Sequence, residues 1–527
     1  MLNSNKMKSI KLNIIIFAAL FTLGSCDEGF VDINTNPYAV TDIDPGLLFA
    51  GAQRTDLGGW ESEHTIVQHF VNPHNSGATE GPNFNADIDN FNNGIWNNAY
   101  PNIIKNLNQA LFLAESFPDR VNLRSMIRIW KAQTFMNVVD SYGDVPYFNA
   151  GYAFLKGDQF FYPAYDDDAA IYADLEKELK EAVAALSANA PFEPNDLFYG
   201  SNGSVKSTTA AVQAEKWKKL GNSLLLRLGM RYSKVDANKA AGIVSAAFSG
   251  GVLASNDDNA FVRYDGIAFT NGANNGLVNN NPYFYYAAEP FVNQLKSTED
   301  PRTKYIIALY KNPADPLGDA APNTAFADQF GVPVGVLNTS LVNAPYRGTR
   351  GGGYNYSQMN VKSVASQTAP TWWMTYSEVA LYLAEAAQRG WIAGGEAAAK
   401  QYYESAIRAD MDRYKLYPNT TTIPAAEIDA YLAHPDVAYN GANGLKLINT
   451  QLWVALIRNG VQAFANFRRS GFPALTPNKF NNLYEGGFAR RFSYPDYELA
   501  NNSANYKAAA AAMGGDKMIS RVFWDKN

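Results

Sequence analysis

Cysteine occurs once in this chain, so no internal disulfide can form and no cluster of thiolates can hold a metal. Histidine is scarce too, at four residues. His64, His69 and His74 recur every five residues. On a helix each would be turned about 140° from the last, so they would share no face and make a poor zinc site. Charge is thin: 18% of residues are charged, and 50 acids against 44 bases leave a net −6. That excludes the basic footprint that broad nucleic-acid binding requires. The chain also lacks a phosphate loop ending in Lys-Ser/Thr, a GxGxxG turn, an HExxH pair and a GxSxG elbow. Carboxylates are numerous, yet nothing in the sequence picks out two at glycosidase separation. No catalytic residue, cofactor or metal ligand is assigned.

Long apolar runs are missing except for residues 12–23 (LNIIIFAALFTL), which follow Lys6, Lys8 and Lys11. Twelve residues are too few to span a bilayer but suit the core of a signal peptide. Leu23-Gly24-Ser25-Cys26 comes next and looks like a bacterial lipobox. In such a box the cysteine sulfur receives a diacylglycerol and cleavage precedes the residue, which makes residues 1–25 a signal peptide. Several acyl chains on one residue anchor durably, at about 0.8 kcal/mol for each buried methylene. Asp27 and Glu28 follow directly. Acids there accompany inner-membrane retention in some bacteria and export to the cell surface in others, and the residues alone do not choose. Residues 26–45 carry turn formers without helical period and read as an extended leader off the membrane.

What the chain has in quantity is apolar and aromatic material. Hydrophobic residues are 47%, with 31 Tyr, 30 Phe and 9 Trp, which rules out disorder over most of the length. Aromatics beside many asparagines suit a surface that stacks on uncharged polar ligands; a large core with amide-rich loops has the same composition. Apolar residues recur at three- and four-residue spacing in several stretches. Ile95, Trp96, Tyr100, Ile103, Ile104, Leu107 and Leu111 mark one helix. Met126, Ile127, Trp130, Phe135, Val138 and Val139 mark a second; Ile171, Leu175, Leu179, Val183 and Leu186 mark a third. Before the third stand Asp166, Asp167 and Asp168, acids that complement a helix dipole and cap its amides. Residues 211–232 form a long helix, and 372–389 pair with 396–414 as a helical hairpin. Leu383-Ala384 sits on the first helix of that hairpin and Ala399, Tyr403, Ala406 and Ile407 on the second; small residues where helices cross, with an aromatic four residues on, make a degenerate tetratricopeptide pattern. The fold class is all-α, with long irregular loops at 58–93, 255–286, 310–358 and 415–424.

Loops of that length are unusual in a compact domain unless they are functional. Within them Trp60 follows two glycines, and Tyr283, Tyr285 and Tyr286 close an Asn-rich stretch. Tyr346-Arg347 and Tyr354 with Tyr356 flank a glycine-rich run at 348–353, where missing side chains let a ligand approach the backbone. These eight residues are the candidate ligand contacts. Trp96, Trp130 and Trp217 lie in helical apolar stripes and are assigned to the core.

With a lipobox, helical repeats and aromatic loops in place, the chain resembles the SusD/RagB family of surface lipoproteins, in its SusD-like branch. Asn34-Thr35-Asn36-Pro37, residues 217–231 (WKKLGNSLLLRLGMR) and Asp300-Pro301-Arg302 match family segments. So do Tyr376-Ser377-Glu378 with Leu383-Ala384-Glu385-Ala386, and residues 451–473 with their double arginine. Arg490-Arg491-Phe492-Ser493-Tyr494-Pro495, Glu498 and residues 501–506 match the closing segment. The resemblance implies one domain over 46–527, with four tetratricopeptide-like helix pairs as scaffold and loops as the ligand face. It implies structural roles for Trp217, Glu378, Arg468 and Arg469, and carries over no ligand contact. It further implies a non-catalytic protein at the outer membrane that serves as lid to a TonB-dependent, SusC-like transporter and captures a glycan. Capture of a peptide on the same fold, and a surface-anchored hydrolase, are the alternatives.

Overall fold

The computed structural model describes residues 43–56, 60–73, 85, 87–275, 278 and 286–526. Cys26 and its flanking leader lie outside them, and so do Tyr283 and Tyr285. Pro45–Asn527 forms one compact unit. Its principal helices are α1 (Pro45–Arg54), α2 (Trp60–Ile66), α3 (Lys105–Ala114), α4 (Val121–Tyr142) and α5 (Asp168–Ala185). After them come α6 (Ala210–Arg231), α7 (Ala237–Ser249), α8 (Glu289–Ser297), α9 (Tyr376–Gln388) and α10 (Gly395–Arg413). Then follow α11 (Ala425–Ala433), α12 (Gly444–Ala455) and α13 (Gly460–Ser470), and two shorter helices, Asp496–Asn501 and Ser503–Ala512, lie in the closing segment. Strands are two to four residues long: β1 (Phe70–Val71), β2 (Ala260–Val262), β3 (Tyr286–Ala287) and β4 (Ile307–Ala308), then β5 (Thr349–Arg350), β6 (Gly353–Tyr354), β7 (Gln358–Met359) and β8 (Thr371–Met374). The expected all-α class holds.

Helix α4 sits at the centre. Only Val121, Arg124, Arg128 and Lys131 keep contact with solvent along its 22 residues. A helix that is apolar or hydrogen-bonded on every side must be surrounded, and α5, α6 and α13 all pack on it. The approach of α5 to α6 is close because Gly221 has no side chain: a Cβ there would lie 2.3 Å from Val183 Cγ2. Helix α6 then pairs with α7, α9 with α10, and α12 with α13, which gives repeated antiparallel layers. Trp96, Trp130 and Trp217 are buried, as their helical spacing implied.

Local signals set several helix starts. Asp167 Oδ1 accepts a hydrogen bond from Ala170 N at 2.8 Å and caps α5, while Asp166 turns away to accept from the amides of Tyr147 and Phe148. The hairpin helix begins at Tyr376, not at residue 372. Thr371–Met374 is instead β8, antiparallel to β2, with the Trp372 ring stacked 4.4 Å from that of Phe261. A Thr-Trp-Trp-Met run favours an extended, half-covered strand, and Thr375 Oγ1 then accepts from Glu378 N and opens the helix.

Glu378 stands where a capping-box acid would fold back on its own helix. Its carboxylate goes to the buried Arg227 of α6 instead, at 2.8 and 2.9 Å. Similar pairs recur through the core: Arg231 with Asp140 at 3.1 Å, Arg302 with Asp410 at 2.7 Å, and Arg413 with Asp410 at 2.7 Å. Burying a charge is tolerable only when its partner's geometry is good, so the Arg227–Glu378 and Arg231–Asp140 pairs fix how α6 meets α9 and α4, while Asp410 of α10 holds Arg302 from outside that helix and Arg413 within it. Trp217 Nε1 donates to Asp196 Oδ2 at 2.7 Å. Arg468 donates to the carbonyls of Asp140 and Arg490, each at 2.6 Å, and ties α13 to the closing segment.

Candidate functional site

Four short strands form an antiparallel sheet in the order β1-β3-β7-β4. Against it lies a second, smaller apolar cluster built from Val71, Tyr286, Ala288, Val332, Tyr354 and Tyr356, with Phe330 and Tyr346 at its margin. The irregular stretch between β4 and β7 folds over this cluster. Its turn is the β5–β6 hairpin, in which Thr349 pairs with Tyr354 and Arg350 with Gly353.

Tyr286 reaches beneath that hairpin. Its hydroxyl accepts a hydrogen bond from Tyr354 N at 2.9 Å, and a Cβ on Gly353 would lie 2.4 Å from the same oxygen. Gly351, at φ +52°, lies against Asn312 and the Lys311 carbonyl, and Gly352 against Ala314. The space left by these three glycines is thus filled by the chain's own backbone and side chains. Among the glycines of 348–353 only Gly348 faces open space, its nearest neighbour being the Val342 carbonyl at 3.9 Å.

At the margin the chemistry changes. Arg347 is exposed, and its guanidinium carbon lies 3.5 Å from the centre of the Phe330 ring. Arg347 Nε donates to Asn355 O at 3.1 Å, and Arg347 N donates to the Tyr356 hydroxyl at 3.3 Å. The planar cation is therefore held flat across an aromatic ring, while its Nη1 and Nη2 groups hydrogen-bond nothing among the described residues. Tyr346 beside it is half-buried, with its hydroxyl likewise unengaged among them. Burial raises the pKa of the Tyr356 hydroxyl, and Arg347 opposes that shift without cancelling it. Neutral phenols, a fixed guanidinium and ring edges can bind hydroxyl-bearing or carbonyl-bearing ligands.

Of the eight candidate contacts, Tyr346 and Arg347 come together on this margin. Tyr286, Tyr354 and Tyr356 lie beneath it, buried, as the floor that positions it. Trp60 opens helix α2 and does not stand in a loop. Tyr283 and Tyr285 lie outside the described residues. Phe330 was not singled out from the sequence, because one aromatic in a long irregular stretch gives no periodicity to read.

Two other constellations bear on chemistry. His64 and His69 do meet, with their Nδ1 atoms 2.8 Å apart. The helical-wheel argument that separated them assumed one continuous helix, but α2 ends at Ile66 and the chain turns back. Burial lowers the pKa of both, that of His69 to about 3, so the pair is uncharged near neutrality. His69 Nε2 is 3.0 Å from Trp453 O, which makes it the donor and His69 Nδ1 the acceptor of the pair. His74 lies outside the described residues. Asp144, Asp167 and Asp168 bring carboxylate oxygens within 4.8 Å of one another. Each accepts from a backbone amide, of Asp168, Ala170 and Phe523 respectively. Among the described residues no helix is long and apolar enough to cross a membrane.

Comparison with known proteins places this geometry in context. A SusD-like family model, described as starch-binding and associating with the outer membrane, matches residues 37–495. A solved structure named as a chitin-binding protein is 28% identical, with a TM-score of 0.75 over 92% of this chain and 100% of that one. A SusD-like protein of Bacteroidetes AC2a is 24% identical with a TM-score of 0.77, again over 92% and 100%. A chitin-binding SusD homologue from Flavobacterium johnsoniae is 21% identical with a TM-score of 0.71, over 92% and 99%. No curated protein sequence matches.

Proposed function

The chain belongs to the SusD-like family, and we propose that it is a surface lipoprotein that binds a glycan and delivers it to a SusC-like, TonB-dependent transporter of the outer membrane. The observation that carries the reading on this chain's own residues is Arg347, laid over Phe330 beside Tyr346 with its outer N–H groups uncommitted. A guanidinium held in this way offers parallel donors to sugar hydroxyls or to an acetamido carbonyl, and the neighbouring rings take the C–H face of the sugar. Two similar structures are named for chitin binding, which makes β-linked N-acetylglucosamine oligomers the first ligands to try. Trp60, Tyr283 and Tyr285 remain proposed ligand contacts from the sequence. In this reading Cys26 supplies the anchor, and residues 27–44 the tether that leads to the folded unit. The role proposed is capture of the glycan and its hand-over, without a catalytic step.

Calorimetry against soluble oligosaccharides of chitin, starch, cellulose and xylan, with a set of peptides beside them, tests the reading. Saturable binding of one glycan class supports it. Binding of peptides alone replaces the glycan with a peptide ligand, and release of product from any of them makes the protein a hydrolase.

A further inference from the structure

A second cleft lies apart from the Tyr346–Arg347 face and shares no residue with it. It has a volume of about 650 Å³, within the range of small-molecule sites. Trp96 and Tyr100 form its floor, and Phe154, Phe161, Tyr162 and Tyr497 its walls. Phe154 is 72% exposed, Phe161 58% and Tyr162 64%. Three large rings open to water within nine residues are a concentrated apolar surface.

These rings are held out, not left loose. Asn505 donates to the Tyr162 carbonyl at 3.1 Å and Asn502 to the Pro163 carbonyl at 2.9 Å. The loop is thus fixed by its backbone, and its side chains are free to face the cleft. Tyr100 donates to the Pro146 carbonyl at 2.8 Å, which locks the floor. Tyr497 donates to Asn97 Oδ1 at 2.7 Å and leaves the Asn97 amide nitrogen uncommitted among the described residues. Asn501 and Lys105 add further donors at the rim that are unengaged among the described residues. Glu498, the one acid in the lining, already accepts from Tyr165 at 2.8 Å. Flat rings on the walls, with the Asn97 and Asn501 amides and one lysine ammonium at the rim, match a ligand with C–H faces and peripheral hydroxyls, and the balance of one base against one acid in the lining favours an uncharged one.

We propose that this cleft, walled by Phe154, Phe161, Tyr162 and Tyr497, is a second saccharide-binding site. The proposal rests on the glycan-binding reading above. It gives a long glycan two holds on one protein, and two linked weak holds retain a chain far better than one.

The test titrates the full-length chain in lipid nanodiscs with chitohexaose, maltoheptaose, cellohexaose and xylohexaose, and reads hydrogen exchange by segment. The saccharide that binds should protect residues 158–163 and 496–502, whether or not 346–356 also responds. Phe161→Ser with Tyr162→Ser should abolish that protection and weaken binding at the cleft about tenfold, as expected for lost stacking platforms. Both rings are exposed, so folding should survive; Phe154→Ser is the milder second variant. Phe112→Ser, at an exposed phenylalanine outside the cleft, should change nothing. Protection confined to 346–356, cleft variants that bind like the parent, or an equal loss in Phe112→Ser overturns the second site and leaves the first standing. A parent that binds none of the four overturns both.

Discussion

Arg469 of α13 grips Glu385 of α9 with two nearly parallel hydrogen bonds, of 2.7 and 2.8 Å, across 84 residues of sequence. Neither side chain is exposed to solvent. Burial alone would push the Glu385 carboxyl up, but Arg469 and then Arg389 outweigh it and hold it at about 2. Because the folded value lies below the ordinary 4.5, the pair stabilises the protein above that pH, and the contribution is lost as pH falls toward 2. Arg469→Ala leaves the buried carboxylate to Arg389 and Asn449 alone and should cost about 3 kcal/mol in urea unfolding at pH 7. Glu385→Gln should flatten the acid limb of the stability curve between pH 4.5 and 2.

Asp168 is predicted to act with the opposite sign. Burial, reinforced by Asp144 and Asp167, raises its carboxyl to about 7, although the Phe523 amide pulls the other way. The folded state therefore holds this proton more tightly than the unfolded chain, and stability falls as pH rises from about 4 through 7. Asp168→Asn keeps an acceptor for the Phe523 amide and removes the charge. It should stabilise the protein by roughly 1–3 kcal/mol at pH 8 and hardly at all at pH 4, read by thermal unfolding at both.

The loop face separates binding from folding. Tyr346→Ala and Arg347→Ala should each weaken glycan binding several-fold and leave the unfolding midpoint unchanged, since both touch solvent. Tyr286→Ala should instead cost about 3 kcal/mol of stability, because the ring is buried and its hydroxyl anchors Tyr354 N. Calorimetry and denaturation on the same three proteins check the contrast.

Cys26→Ala should abolish labelling by radioactive palmitate and leave the protein soluble or as an unprocessed precursor. An Ala variant that still fractionates with outer membranes would refute the lipid anchor.

Gentle detergent extraction of native membranes should recover the protein with a β-barrel partner, bound through an area well above about 1,000 Å². Recovery of the lone chain from several detergents would count against the partnership.

Helices were legible where their apolar stripes repeat, as at Met126, Trp130 and Val138, since burial of one face imprints a period on the residues themselves. The acidic run before α5 is local in the same way, and Asp167 caps that helix by accepting from Ala170 N. Strand β8 was missed because its pairing partner, Ala260–Val262, lies more than a hundred residues away and four residues are too few to show a period. The meeting of His64 with His69 was missed for a related reason: it depends on where a helix stops.

The sequence by itself determined the helical class, the buried tryptophans and the family, because each is carried by residues close together in the chain or by fixed segments in order. Only the tertiary structure decided which aromatics face water. Tyr356 and Tyr162 are the same residue type in irregular segments, yet one lies beneath a hairpin and the other stands open over a cleft. Exposure is set by what long-range packing brings over a ring, and no spacing within a loop records that.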